Sequence, residues 1–233
     1  MSTLYIVATP IGNLNDITLR ALEVLKSVDF VLAEDTRQTK KLLDHYQIDK
    51  PLISYHQHSK LQKIDQIIGL LERGKNLALV SDAGTPGVSD PGNLLISETV
   101  KKLRDDLKIV PIPGSSALIT AASVSGFPTD RFIFLGFPPQ KNKRQKFFKE
   151  VIEAKETVIL YESVHRILKT LNELRMMNNQ LEIMVARELT KKFETIYRGS
   201  IKEVIEQIEN DKILGEFVII INTKITQNLK RKV

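Results

Sequence analysis

The 233-residue chain has no cysteine, which excludes disulfides, thiolate metal sites and a cysteine nucleophile and points to a reducing, cytoplasmic setting. No apolar run approaches the ~20 residues needed to span a bilayer. The opening MSTLYIVATPIG has no basic leader and breaks its apolar run at Pro10, so neither export nor membrane insertion is expected. The sequence also lacks any G-x-G and any G-K-[ST]. The dinucleotide fingerprint, the Gly-rich loop of the common nucleotide-binding methyltransferases and the P-loop are thereby excluded. Internal repeats and low-complexity tracts are missing too.

An apolar content of 42% is that of an ordinary globular protein. The formal charge of +6 is unevenly placed: residues 1–112 carry 14 Lys+Arg against 14 Asp+Glu, and residues 113–233 carry 20 against 14. A polyanionic partner would meet the second half; a solvated basic surface is the alternative.

In the first half, the apolar runs LYIVAT, DFVLAE, LISYH, NLALVSD and KIVPIP alternate with helical patterns such as LRALEVLKSV and KLQKIDQIIGLLERG. This is the βαβ rhythm of a parallel sheet. A second set follows PIPGSSA: strands RFIFLGF, TVILYES, EIMVARE, ETIYRGS and EFVIIIN, with helices predicted near 143–153, 167–177 and 201–209. We therefore expect two α/β domains, 1–112 and 113–233, with a parallel sheet in the first and a mixed sheet in the second. The tail NLKRKV is expected to fray.

Each strand of the first half leads into a distinctive turn: TPIGN, EDTRQT, HQH, SDAGTPGVSDPG and PGSSA. In a parallel sheet these turns share the carboxyl edge, where α/β proteins bind ligands. GFPP, YESVHR and ARELTK continue the habit in the second half, so a cleft between two such edges is the expected site. The density of glycine and proline in Ser81–Gly92 exceeds what a turn needs and suits close approach of main chain to a ligand. With Gly114, Ser115, Ser116 and Ala117 it suggests a pocket for a flat base and an amino-acid moiety.

TPIGNLNDITLRALE, EDTRQTKKLL, SDAGTPGVSDPG, PGSSALITAASVSGFP, FLGFPP, YESVHRI and ARELTKKFE…RG together resemble the successive motifs of the bacterial small-subunit ribosomal RNA cytidine-2'-O-methyltransferases, within the tetrapyrrole-methylase superfamily. The resemblance runs from Leu4 to about Val218. It implies a two-domain α/β enzyme, a homodimer, that holds S-adenosylmethionine between its domains and methylates a cytidine ribose in the decoding region. It further implies cofactor contacts at Pro10, Asp82, Ala83, Gly84, Thr85, Pro86, Val88, Ser89, Ser115, Ser116 and Ala117, with Phe137, Tyr161, Ala186, Arg187 and Leu189 closing over.

Methyl transfer from a sulfonium is an in-line displacement that alignment accelerates and that calls for no metal. A ribose hydroxyl is a poor nucleophile, so a carboxylate base within reach would help. Asp35, Glu162 and Glu188 are the candidates, each ending a predicted strand; salt bridging to Arg166, Arg187 or Lys191 is the competing role. Arg37, Arg166 and Arg187 suit phosphate, and His165 would assist RNA contact. His56 and His58 share one face of an extended strand, which suits local hydrogen bonding better than metal ligation. Lys141 to Lys149 places five cations and two phenylalanines in nine residues. We expect Phe147 and Phe148 to pack inward while Lys141, Lys143, Arg144 and Lys146 face RNA phosphates. Two other functions remain open: methylation of a tetrapyrrole or other small molecule, and a non-catalytic RNA-binding role in ribosome assembly.

Overall fold

The structure is a computed structural model that describes residues 1–56 and 61–223. His58 and the tail NLKRKV lie outside the described residues. The chain divides into two units, Met1–Ser116 and Ala117–Val233, the division falling inside the PGSSA turn.

The first unit is a five-stranded parallel sheet. Its strands are β1 (Ser2–Val7), β2 (Phe30–Ala33), β3 (Leu52–Ser54), β4 (Leu77–Val80) and β5 (Leu107–Ile112), in the order β3-β2-β4-β1-β5. Helices α1 (Leu19–Ser27), α2 (Thr36–His45), α3 (Leu61–Glu72) and α4 (Asn93–Leu103) connect them. Alternation along β4 explains the layering. Leu77 and Leu79 join Ile64, Ile67 and Leu71 of α3 and Leu95 of α4 in one core. Ala78 and Val80 join Ala21 and Leu25 of α1 and Leu43 of α2 in another. With all four residues buried, β4 reads in sequence as an unbroken apolar run, as strands covered on both faces do. Fully burying a leucine, isoleucine or valine side chain of this kind stabilises by roughly 1.5–3 kcal/mol.

The second unit is a mixed sheet, β6-β7-β10-β8-β9, built from β6 (Phe132–Phe134), β7 (Thr157–Ser163), β8 (Glu182–Arg187), β9 (Thr195–Ser200) and β10 (Glu216–Asn222). Only β6 and β7 pair in parallel; the other pairs are antiparallel. Helix α5 (Ala117–Ser125) lies against β10, while α6 (Arg144–Glu153), α7 (Ile167–Met177) and α8 (Ile201–Glu209) share one core with Val158, Leu160, Ile183, Val185 and Ile219. A reciprocal cap, Ser200 with Glu203, starts α8 and satisfies amides the first turn leaves unpaired. No helix among the described residues is long and apolar enough to cross a membrane.

Candidate active site

Three loops at the carboxyl edge of the parallel sheet are tied to one another by main chain. The Thr9 amide donates to the Gly84 carbonyl at 2.9 Å and the Gly84 amide to the Thr9 carbonyl at 3.0 Å, joining the loops after β1 and β4. The buried Thr9 hydroxyl donates to the Ser81 carbonyl at 3.1 Å. Thr85 extends the set by donating its hydroxyl to the Ser115 carbonyl, 3.2 Å away in the turn after β5. Strand order makes this possible, since β4, β1 and β5 are consecutive neighbours. Pro10 and Pro86 are buried, while Asp82, Ala83, Val88 and Ser89 remain exposed and Ser116 and Ala117 are half-buried.

The glycines set the geometry of this loop. Gly84 and Gly87 sit at φ 83° and 82°, a region that strongly disfavours side chains branched at Cβ. A Cβ on Gly87 would stand 3.0 Å from Asn93 Oδ1, and the Asn93 amide donates to the Gly87 carbonyl at 3.1 Å. Much of the room a side chain would need is thus filled by the loop itself, which sets its shape before any ligand arrives.

The carboxylates at this edge differ in state. Asp35 caps α2 by accepting from the Arg37 amide at 2.8 Å, and it takes the Arg37 guanidinium at 3.0 and 2.7 Å. That pairing, with the amide bond, brings its pKa down to about 2 and leaves both of its oxygens taken by Arg37. Its own amide donates to Asp82 Oδ1 at 2.9 Å. Glu34 and Asp90, which sequence reasoning passed over although EDTR and SDPG contain them, move the other way. Burial raises both, and the charges of Asp82 and Asp90 on Glu34, and of Asp82 on Asp90, add to it; the Ser81 hydrogen bond on Asp90 opposes. Mutual repulsion among Glu34, Asp82 and Asp90 favours a cationic guest at this edge.

In the second unit four predicted site residues, Glu162, Arg166, Arg144 and Arg187, turn out to serve the scaffold. Glu162 has a side chain 0% exposed. Its Oε1 accepts from the Ser163 amide at 2.8 Å and from Arg166 Nη2 at 2.9 Å, and its Oε2 accepts from the Thr170 hydroxyl at 2.6 Å. No face is left for a substrate hydroxyl, which corrects the reading of Glu162 as a base. Arg166 is committed as well, to Ser163 Oγ at 3.3 Å and the Pro138 carbonyl at 3.1 Å. Arg144 corrects the basic-face expectation most plainly: it is 6% exposed. Its guanidinium binds Glu173 at 2.7 Å, the Pro139 carbonyl at 2.8 Å and the Thr170 hydroxyl at 2.7 Å, and lies 4.7 Å from the Phe148 ring centroid. The helical period carries position 144 inward with Phe148, and a long side chain with buried partners follows it. Phe148 is buried and Phe147 packs beside it, as expected. Lys141, Lys143 and Lys146 are exposed, as is His165.

Phe137, 51% exposed, meets the edge of Tyr161 at 5.6 Å between ring centroids, and the Tyr161 hydroxyl accepts from the Leu118 amide at 3.2 Å. Ala186 and Leu189 are buried. So is the Arg187 side chain, which corrects its assignment to phosphate: it pairs with Asp211 at 3.0 Å, donates to Thr195 Oγ1 at 2.8 Å and reaches the Lys212 carbonyl. Burial and the bond to Asp211 push the neighbouring Tyr197 hydroxyl up to about 12.

Glu188 is the remaining acid. It follows β8 with φ 51°. Its Oε1 accepts from Lys191 at 2.8 Å and from the Glu216 amide at 3.1 Å, and Oε2 takes no bond from the described residues. The carboxyl rests on Gly215, where a Cβ would come within 2.1 Å of it. That glycine, unremarked in sequence, is what makes room for the glutamate. Burial raises the Glu188 pKa, but the Lys191 bond, the Glu216 amide and nearby cations outweigh it and the net shift is downward.

The family model for tetrapyrrole (corrin/porphyrin) methylases matches residues 3–205. Two curated relatives carry the name ribosomal RNA small subunit methyltransferase I. The Bacillus subtilis protein is 48% identical over 95% of this chain and 75% of its own length. The Thermotoga maritima protein is 42% identical over 96% of this chain and 100% of its own. Among solved structures, a diphthine synthase superposes with a TM-score of 0.72 at 12% identity, covering 95% of this chain and 90% of that one. A cobalt precorrin-4 methyltransferase superposes with 0.69 at 18%, covering 94% of each. These two structural likenesses bear on the fold alone.

Proposed function

We infer the reaction from one premise: the chain belongs to the tetrapyrrole (corrin/porphyrin) methylase family. It is an S-adenosylmethionine-dependent methyltransferase, and we propose that it methylates the 2'-hydroxyl of a cytidine in the decoding region of small-subunit ribosomal RNA, as a homodimer in the cytoplasm. The observation that carries the acceptor is the similarity, at 42–48% identity over nearly the whole chain, to proteins named for small-subunit ribosomal RNA.

The cofactor fits the residues at the edge of the parallel sheet. A sulfonium with an ammonium group is the cationic guest that Glu34, Asp82 and Asp90 favour, and main chain at the exposed Ala83, Val88 and Ser89 and the half-buried Ser116 and Ala117 offers donors and acceptors for the ribose and amino-acid parts. When bound, the cofactor supplies an electrophilic methyl group. The chain's own residues orient the acceptor and receive its proton. Of the three acids, Glu188 alone keeps a carboxylate oxygen open, so we assign proton acceptance to Glu188 Oε2, with Lys191 fixing the other oxygen. Ala186 and Leu189, on the same turn, and Phe137 and Tyr161 are assigned to the cofactor. Lys141, Lys143 and Lys146 are assigned to RNA phosphates, as are His165 and Arg37, whose side chain is 86% exposed.

Tritiated methyl transfer tests the reading. Small ribosomal subunits are expected to take label from the wild-type protein while a porphyrinoid acceptor does not; the reverse would assign the enzyme to small molecules. In a salt titration of binding to the same subunits, replacing Lys141, Lys143 and Lys146 by glutamine is expected to weaken the complex. The negative slope of log affinity against log salt should become shallower by ~0.7–0.9 for each phosphate no longer neutralised, with cofactor affinity unchanged. An unaltered slope would make those lysines ordinary surface.

A further inference from the structure

Arg144, Glu162, Arg166, Thr170 and Glu173 form one continuous chain of hydrogen bonds, and two of its ends close on consecutive carbonyls. Arg166 donates to Pro138 at 3.1 Å and Arg144 to Pro139 at 2.8 Å. Between them the Thr170 hydroxyl donates to Glu162 at 2.6 Å and accepts from Arg144 at 2.7 Å. On the other side of Phe137 the main chain is tied to β7, the Tyr161 amide donating to the Gly136 carbonyl at 3.0 Å and the Leu135 amide to the Ile159 carbonyl at 3.1 Å. Residue 137 is therefore flanked by fixed backbone on both sides, yet it is 51% exposed and its ring touches Tyr161 edge-on.

Pro138 is buried and Pro139 half-buried, so their carbonyls need partners from the protein, and here those partners are two partly or wholly buried guanidinium groups whose own partners are all in place. The arrangement gives up solvent for two cations and fixes one exposed aromatic ring.

We propose that this network is a positioning device: Arg144, Glu162, Arg166 and Thr170 hold the Pro138–Pro139 carbonyls so that Phe137 is presented in the orientation that covers bound S-adenosylmethionine. The inference rests on the cofactor reading given above for Phe137. Preorganised rings bind without the cost of ordering them, so the network acts on cofactor affinity through Phe137 and touches no reacting atom.

The test is a double-mutant cycle read by calorimetry with S-adenosylmethionine and by steady-state kinetics. T170V keeps the β-branched shape on α7 and removes the hydroxyl that links Glu162 to Arg144; R166K keeps the charge but lacks the fork that spans Glu162, Ser163 and Pro138, and stands in if T170V does not fold. Each is expected to weaken cofactor affinity by about tenfold, a difference of ~1.4 kcal/mol, and to raise KM for the cofactor with kcat at saturation within about twofold. In the F137A background the same changes are expected to add nothing. Unchanged affinity in a folded variant, a fall in kcat with KM unchanged, or full additivity with F137A would overturn the proposal. Wild-type protein that bound no cofactor would instead overturn the underlying reading of the site.

Discussion

Replacing Gly87 by valine is expected to lower S-adenosylmethionine affinity by at least 100-fold while far-ultraviolet circular dichroism stays that of the wild type. The reasons are local. Valine at φ 82° is strongly disfavoured, and its Cβ would stand 3.0 Å from Asn93 Oδ1, so the loop must leave the geometry that Asn93 and Gly92 now share. The core that α3 and α4 build on the sheet draws no residue from this turn and keeps the unit folded. Gly84→Val tests the same loop at its bridge to Thr9, where φ is 83° but the nearest contact, Ile11 Cγ2 at 3.4 Å, is ordinary; strain acts there with little crowding, and a smaller loss is expected. Calorimetry with the cofactor reads both. Wild-type affinity in a folded Gly87→Val protein would remove the loop from the donor site.

The second large effect is on the chemical step. E188Q is expected to reduce kcat by about 10²–10⁴, the usual contribution of a general base, with cofactor affinity within about twofold of wild type. Glutamine keeps an oxygen for Lys191 and the Glu216 amide, so a purely structural glutamate would lose far less. The pH profile gives an independent reading. A carboxyl whose pKa lies below the ordinary 4.5 is deprotonated and able to accept a proton throughout the neutral range, so the acidic limb that Glu188 imposes on kcat should fall below pH 4.5 and the rate should be flat with respect to this group from about pH 6 to 8. The linked stability has the same sign: the ion pair with Lys191 is fully present above pH 4.5 and is lost as pH falls through the depressed value. A kcat limb near neutrality would point to a base other than Glu188. D35N offers the contrast, since Asp35 is already paired to Arg37 and caps a helix; its replacement is expected to disturb the loop and leave the pH profile in place.

Much of this molecule could be read from residue order. Helices α6, α7 and α8 fall where the sequence placed them, and the βαβ rhythm of the first half marked its parallel sheet; in the second half strand order and direction were not legible, since β10 follows α8 yet pairs antiparallel with β7 and β8. The turns at strand ends were legible for the same reason, because glycine and proline mark backbone geometry directly. Side-chain partnership was not. Arg144 sits in a run of cations, and only the helical phase, carried to 144 from Phe148, could have turned it inward. Glu162 and Glu173 are eleven residues apart in sequence and are joined through Thr170 and then Arg144; Thr170 has no distinguishing neighbours. Gly215 stands alone in LGEF, and its purpose, to receive the Glu188 carboxyl, depends on two strand ends that pairing of β8 with β10 brings side by side. Long-range complementarity of this kind leaves no local signal, whereas Glu34 and Asp90 lay inside motifs already marked and could have been found by asking which acids share a strand edge.

Nucleoside mass mapping of small-subunit ribosomal RNA provides the most direct test of the central claim. Subunits from cells lacking this protein would be treated with purified wild-type enzyme and S-adenosylmethionine, digested, and compared with untreated subunits. The expected result is one additional 2'-O-methylcytidine per subunit, absent when Gly87→Val or E188Q protein is used. A methyl group on a base, on a protein of the subunit, or on no component of it would contradict the account.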